Sequence, residues 1–150
     1  MPVSKLDLGP ENGDVFVRHN EIIWGVGSIL MIHGLGESRS FFLEAFEHPR
    51  IKEYNLVAPD LPGFGNSPGG VNYSLTGMLR CLESVIQAFD LNPLIVMGHG
   101  IGADLACWLA ERSLGKQRIC GVINLEGTLG EDSLDYAFRA IRAAEDPNIT

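Results

Sequence analysis

The stretch Leu94-Ile95-Val96-Met97-Gly98-His99-Gly100-Ile101-Gly102-Ala103 decides the architecture, because its character changes twice within ten residues. Four consecutive apolar residues at 94–97 leave no polar face for water, which predicts a short strand buried on both sides, as in a parallel sheet. Glycine at 98, 100 and 102 then cuts the strand off and lets the backbone turn sharply. The alanine-rich segment 103–114 follows as a predicted helix, with Gly115 where a helix end favours glycine. On its own this glycine run fits either a strand-to-helix elbow or a phosphate loop, so its surroundings must choose between them.

Working toward the N-terminus, residues 74–90 place Leu75, Leu79, Leu82, Ile86 and Phe89 at steps of four and three, the spacing of a helix with one buried stripe. Residues 59–70 are dominated by Pro, Gly, Asn and Ser, which excludes regular structure there. Segment 55–58 (NLVA) reads as a strand, and 38–47 as a short helix ended by Pro49. Residues 28–33 (SILMIH) read as another buried strand, ending in His33-Gly34-Leu35-Gly36. Segments 14–19 and 21–24 are β-type runs expected to pair through a turn at His19-Asn20. Toward the C-terminus, 119–125 (ICGVINL) reads as a strand and 131–145 as a helix with Leu134, Phe138 and Ile141 on one side. Alternating β and α units of this length predict a three-layer α/β sandwich: a mostly parallel sheet, right-handed crossovers and helices on both faces.

The 150 residues suffice for one domain, and 45% hydrophobic with 20% charged residues is an ordinary globular mixture. Nineteen acidic against eleven basic residues give a net charge of -8, which opposes attraction to nucleic acid and to anionic membranes. The N-terminus lacks the basic start and apolar run of a secretory signal, and no apolar stretch reaches spanning length, so a cytoplasmic protein is expected. Cys81, Cys107 and Cys120 are odd in number and sit inside predicted helices or strands, which suits small core residues in a reducing compartment. Nothing in the chain calls for a metal or a cofactor.

Three segments carry a family resemblance. Gly98-His99-Gly100-Ile101-Gly102 between a strand and a helix resembles the G-x-S-x-G nucleophile elbow, in its G-H-S-x-G form, of the α/β-hydrolases. His33-Gly34-Leu35-Gly36 resembles that family's HG loop, and Asp60-Leu61-Pro62-Gly63-Phe64-Gly65-Asn66-Ser67 its D-x-P-G-x-G-x-S loop. The three stand in the family's order over roughly residues 14–130. The resemblance implies hydrolysis of an ester, amide or related carbonyl bond as the parent activity. It puts Gly100 at the nucleophile position and the backbone N–H groups of Leu35 and Ile101 in the oxyanion hole, beside Gly34 and His99.

This sequence departs from the pattern at the centre of the elbow, because glycine has no hydroxyl to attack a carbonyl. The family order is nucleophile, acid, histidine, yet the four histidines are His19, His33, His48 and His99, and none follows the elbow. Glu126 stands where some family members carry their catalytic acid, although most carry it one strand later; the preferred reading is that it ends a strand or caps a loop. The expectation is therefore an inactive α/β-hydrolase chain cut short after about six strands. The alternative is a non-catalytic pseudo-hydrolase that serves as a small-molecule binding or scaffold protein, with a carbonyl or carboxylate compound as its ligand. A bare strand at 119–125 would favour self-association.

Several residues admit two readings. His33 and His99 suit bases or ligands, but hydrogen bonding to nearby backbone explains both. Asp60 suits a catalytic carboxylate or, amid Pro and Gly, a loop-shaping role. Trp108 is expected in the core, and Cys107 is expected to be inert. A dinucleotide loop fits poorly, since that fingerprint follows the first strand and needs a ribose-binding acid about 20 residues on.

Overall fold

The computed structural model describes residues 1–10, 13–70, 73–113 and 119–127. The helix expected over 131–145, with Leu134, Phe138 and Ile141, and the helix end at Leu114 and Gly115 lie outside the described residues.

Six strands form one sheet: β1 (Val3–Asp7), β2 (Asp14–His19), β3 (Ser28–Ile32), β4 (Asn55–Pro59), β5 (Leu94–His99) and β6 (Ile119–Leu125). Their order across the sheet is β1-β2-β4-β3-β5-β6. β4, β3, β5 and β6 run parallel, while β1 and β2 run antiparallel to their neighbours. β3 and β4 are buried along their whole length, as expected for strands covered on both faces. A 3₁₀ turn (Arg39–Phe42) and α1 (Leu43–Glu47) join β3 to β4, α2 (Leu75–Ala88) lies between β4 and β5, and α3 (Ile101–Arg112) between β5 and β6.

Side-chain alternation divides the core into two layers. Leu30, Ile32, Val57 and Val96 face the larger one, where α2 supplies Met78, Leu79, Leu82, Val85 and Ile86, and α3 supplies Leu105 and Leu109. Ile29, Met31, Leu56 and Ala58 face the other, closed by Phe42 and Phe46. Ser74 caps α2 by accepting a hydrogen bond from the Gly77 N–H. Trp108 packs half-buried against the larger layer.

Two expectations need correction. No strand forms over 21–24, and the sixth strand is β1, which pairs with β2 in the register Ser4 to Val17 and Leu6 to Val15. Side-chain amides hold segment 20–26 instead. Asn55 accepts from the Ile23 N–H at 2.8 Å and donates to the carbonyls of Ile23 and Val26. Asn20 donates to the Tyr54 carbonyl at 2.7 Å and accepts from the Leu56 N–H. With the loop backbone satisfied in this way, Ile23 and Trp24 point outward, Trp24 being 92% exposed. β1 escaped notice because its sequence, Val-Ser-Lys-Leu-Asp, has a weak apolar pattern, with Ser4 and Leu6 the half-buried positions. The cysteines also divide: Cys81 is buried, Cys107 half-buried and Cys120 exposed, so only the first is a core residue.

The strand order fixes where a site can form. From β3 the chain crosses to β4 on one side, while β5, its other neighbour, leads away to β6 on the opposite side. The chain thus reverses direction across the sheet between β3 and β5, and the carboxyl ends of such a strand pair are where open α/β sheets bind ligands. No helix among the described residues is long and apolar enough to cross a membrane.

Leu82→Ala, which empties a fully buried site on α2, is expected to destabilise the fold by about 2–5 kcal/mol. Trp24→Ala is expected to change stability by less than about 0.5 kcal/mol. Urea unfolding with both variants checks the assignment, and equal losses from the two would contradict it.

Candidate active-site elbow

β5 ends at His99 and α3 begins at Ile101, so Gly100 alone makes the turn. Its φ of 54° and ψ of -124° lie where side chains are strained, and its N–H donates to the Leu125 carbonyl at 2.9 Å. The two flanking glycines are required by contact. A Cβ on Gly98 would overlap the carbonyl of Gly102, and a Cβ on Gly102 would overlap the carbonyls of Ile32 and His33. The first turn of α3 thus presses directly on the end of β3. At Gly100 the space is open, with the Gly34 Cα the nearest atom at 3.8 Å from a Cβ built there. The tip of the turn stands beside the loop after β3. The Ile101 N–H, first in its helix, has no intrahelical acceptor and lies at the positive end of the α3 dipole.

His33, fully buried, organises the neighbouring loop. The Leu61 N–H donates to its Nε2 at 3.0 Å, so the ring proton sits on Nδ1 and is donated to the Gly34 carbonyl at 2.8 Å. Burial lowers the His33 pKa and outweighs the raising influence of the Gly34 carbonyl, Asp60 and Glu37, keeping the ring neutral. The Gly34 carbonyl also accepts from the Glu37 N–H, and the Glu37 carboxylate accepts from the Gly34 N–H at 2.7 Å. Leu35, the donor expected from the resemblance, sits inside this closed loop with its side chain 42% exposed.

His99 meets a carboxylate at each ring nitrogen. Nδ1 lies 3.0 Å from Glu37 and Nε2 lies 3.3 Å from Glu126, while the ring stacks on Phe41 with centroids 4.5 Å apart. Burial alone would lower its pKa, but the hydrogen bonds to Glu37 and then Glu126, with their charges, raise it overall. Glu126 has φ 58° and an 85% exposed side chain, and the histidine it touches is the one beside the elbow.

Asp60, fully buried, accepts from the backbone N–H groups of Arg39 and Asn66 and pairs with the Arg39 guanidinium. Its oxygens are occupied in joining the 3₁₀ turn to the loop after β4. Burial raises the Cys107 thiol pKa, with Asp104 adding to the effect. Among the described residues no group of three His, Cys, Asp or Glu side chains could hold a metal ion.

Sequence reading missed Glu37 and Phe41. Glu37 follows Gly34 by three residues, the spacing at which a carboxylate can cap a turn, and that was its available signal. Phe41 gave none, because its contact with His99 crosses 58 residues of sequence.

Residues 27–146 match the family described as alpha/beta hydrolase fold. The chain belongs to the α/β-hydrolase fold family. Among curated relatives it is 36% identical over 89 residues to "Probable lysophospholipase BODYGUARD 4" of Arabidopsis thaliana, covering 57% of this chain and 21% of that protein. It is 30% identical over 107 residues to "Magnesium-chelatase 30 kDa subunit" of Rhodobacter capsulatus, covering 70% and 33% respectively. Among solved structures it is similar to a serine-to-glycine mutant of the N-acyl homoserine lactonase AidH complexed with N-hexanoyl homoserine lactone. That likeness has a TM-score of 0.71 and 26% identity, over 83% of this chain and 45% of the other. The chain thus spans a fifth to a third of these curated relatives and under half of that structure.

Within this hydrolase-fold elbow, Gly100→Ala adds only the strain of a positive φ, about 1–2 kcal/mol. Gly98→Ala and Gly102→Ala force backbone apart and are expected to cost more than about 3 kcal/mol. Thermal unfolding of the three variants orders them; a Gly100 variant as damaged as the others would refute the assignment of the tip. Buried His33 has a second consequence, because unfolded chains take up a proton below pH 6.5 that the folded site refuses. Its contribution is complete above 6.5 and declines as pH falls toward its lowered value. In a His99→Gln background, stability is expected to drop between pH 7 and 5.5, and to drop less once His33→Asn is added.

Proposed function

We propose that this α/β-hydrolase-fold chain binds a small carbonyl or carboxylate compound at the elbow without forming a covalent acyl intermediate. Gly100 carries the reading: the turn that would present a nucleophile is built to full geometry, with both flanking glycines in close backbone contact, yet its tip bears no hydroxyl. The backbone donors assigned to the oxyanion hole, the N–H groups of Leu35 and Ile101, do not depend on side-chain identity. A carbonyl oxygen held between them would rest beside Gly34 and Gly100. Similarity to a serine-to-glycine lactonase mutant complexed with a lactone supports a bound, unreacted carbonyl ligand here.

The parent activity of the fold is hydrolysis, and the similarity to a probable lysophospholipase fits an ester as the ancestral substrate. Glu126 is the weaker assignment as catalytic acid, since its side chain is exposed and turned to His99. Self-association through β6 is also proposed, because that strand forms a sheet edge among the described residues and carries Ile123 at 38% and Leu125 at 36% exposure.

The chain is expected to show no turnover and no burst with p-nitrophenyl butyrate, and no mass shift corresponding to an acyl adduct. Gly100→Ser alone is expected to restore little, because none of the four histidines follows residue 100. A covalent butyryl adduct on the unaltered chain, or serine-dependent esterase activity in the variant, would overturn the proposal. For the edge, light scattering is expected to show concentration-dependent association that Ile123→Lys reduces.

A further inference from the structure

We propose that His99 is a proton-dependent clasp that sets the position of the Gly34–Leu35 donor loop against the elbow, making ligand binding there sensitive to pH. This rests on the reading of the elbow as a binding site.

Three segments that are distant in sequence meet at one imidazole. His99 belongs to the end of β5, next to Gly100. Glu37 closes the loop after β3, and its carboxylate holds the Gly34 N–H at 2.7 Å while standing 3.0 Å from His99 Nδ1. Glu126 follows β6 and stands 3.3 Å from Nε2. These two carboxylates are the charged groups facing the ring, and the stacked Phe41 from the 3₁₀ turn carries no charge.

A neutral imidazole has one N–H and one lone pair. Whichever nitrogen loses its proton then directs a lone pair at a carboxylate, so one of the two contacts turns repulsive. Only the doubly protonated ring donates to both. The raised His99 pKa agrees with that arrangement. Glu37 is the stronger arm, being only 24% exposed against 85% for Glu126, so solvent screens it less. The proton that leaves is therefore the one on Nε2: the Glu126 contact is lost, and the bond from Nδ1 to Glu37 changes from a charge-assisted to a neutral one, which weakens the hold on the Glu37 carboxylate and so on the loop that carries Leu35. His99 and Glu37 act here as positioning residues, since neither needs to touch the ligand.

The sign follows from linkage. A group whose folded pKa lies above its ordinary value of 6.5 stabilises the fold fully below 6.5 and loses that contribution as pH rises through the folded value. A clasp closed in acid and open in alkali is therefore expected.

The test uses the full chain and two readouts between pH 5.5 and 9. Nuclear magnetic resonance follows the His99 ring protons together with the amide signals of Leu35 and Ile101. Calorimetry follows binding of p-nitrobutyranilide, a neutral carbonyl probe whose own charge does not change in this range. The His99 midpoint is expected above that of a free imidazole, with the Leu35 amide signal moving at the same midpoint. The Kd is expected to rise through it, by up to about tenfold per unit of midpoint difference between free and bound protein. Glu37→Gln, which keeps an acceptor for the Gly34 N–H, is expected to lower the midpoint toward 6.5 and flatten the binding profile; Glu126→Gln is expected to do so less. A Leu35 amide indifferent to His99 titration, or a midpoint unchanged by Glu37→Gln, would overturn the clasp. Absence of probe binding at every pH, with the Leu35 amide still following His99, would retire the binding reading and leave the clasp supported.

Discussion

The site depends on one close approach: the backbone of Gly102, in the first turn of α3, lies so near the carbonyls of Ile32 and His33 that no Cβ fits between them. A hydrogen on that Cα lets the helix start directly against the end of β3, and the loop after β3 is thereby carried alongside the turn after β5. The proximity of Gly34 to Gly100 follows from it, as does the meeting of Glu37 with His99. Gly98 makes the matching allowance inside the turn, where its Cα faces the Gly102 carbonyl. Both are steric conditions, met by the absence of atoms, and only glycine meets them.

Around that contact, buried polar side chains serve the loops. His33 links the loop after β3 to Leu61, Asp60 links the loop after β4 to Arg39 and Asn66, and Asn55 satisfies the backbone of segment 23–26. Each is buried, so an unsatisfied partner would incur the desolvation cost of about 1–3 kcal/mol that makes such contacts asymmetric. Residues of the types that perform catalysis elsewhere are here committed to holding loop shape. His99 differs, because it is half-buried and both its ring nitrogens face carboxylates across segment boundaries.

The elbow separates two properties that usually come together in this fold. Donating a hydrogen bond to a carbonyl oxygen needs only backbone N–H groups in place, whereas bond cleavage through an acyl intermediate needs an attacking atom and a proton acceptor. On the proposed reading the backbone part is supplied by the N–H groups of Leu35 and Ile101. The attacking atom would belong to one side chain, so glycine at position 100 leaves the strand, turn and helix intact.

The order of strands and helices around the elbow was legible from residues 28–33, 55–58, 74–90, 94–103 and 119–125, because unbroken apolar runs and helical spacing are local properties of the chain. The three glycine-bearing loops, and the lack of a hydroxyl at position 100, were equally plain. β1 was not, since Val3–Asp7 has little apolar pattern and becomes a strand only by pairing with β2. The apolar run at 21–24 misled for the reverse reason: the side-chain amide of Asn55, 32 residues away, took up the backbone N–H and carbonyl of Ile23, while that of Asn20 took up the Tyr54 carbonyl and the Leu56 N–H. Which residues surround His99 was decided by tertiary structure alone. Glu37, Phe41 and Glu126 come to that ring from three separate segments, and a contact between segments depends on how the sheet and helices pack. The sequence by itself determined the kind of fold and the absence of a hydroxyl at position 100, because both reside in short runs of residue types; the tertiary structure decided which charges face one another around His99.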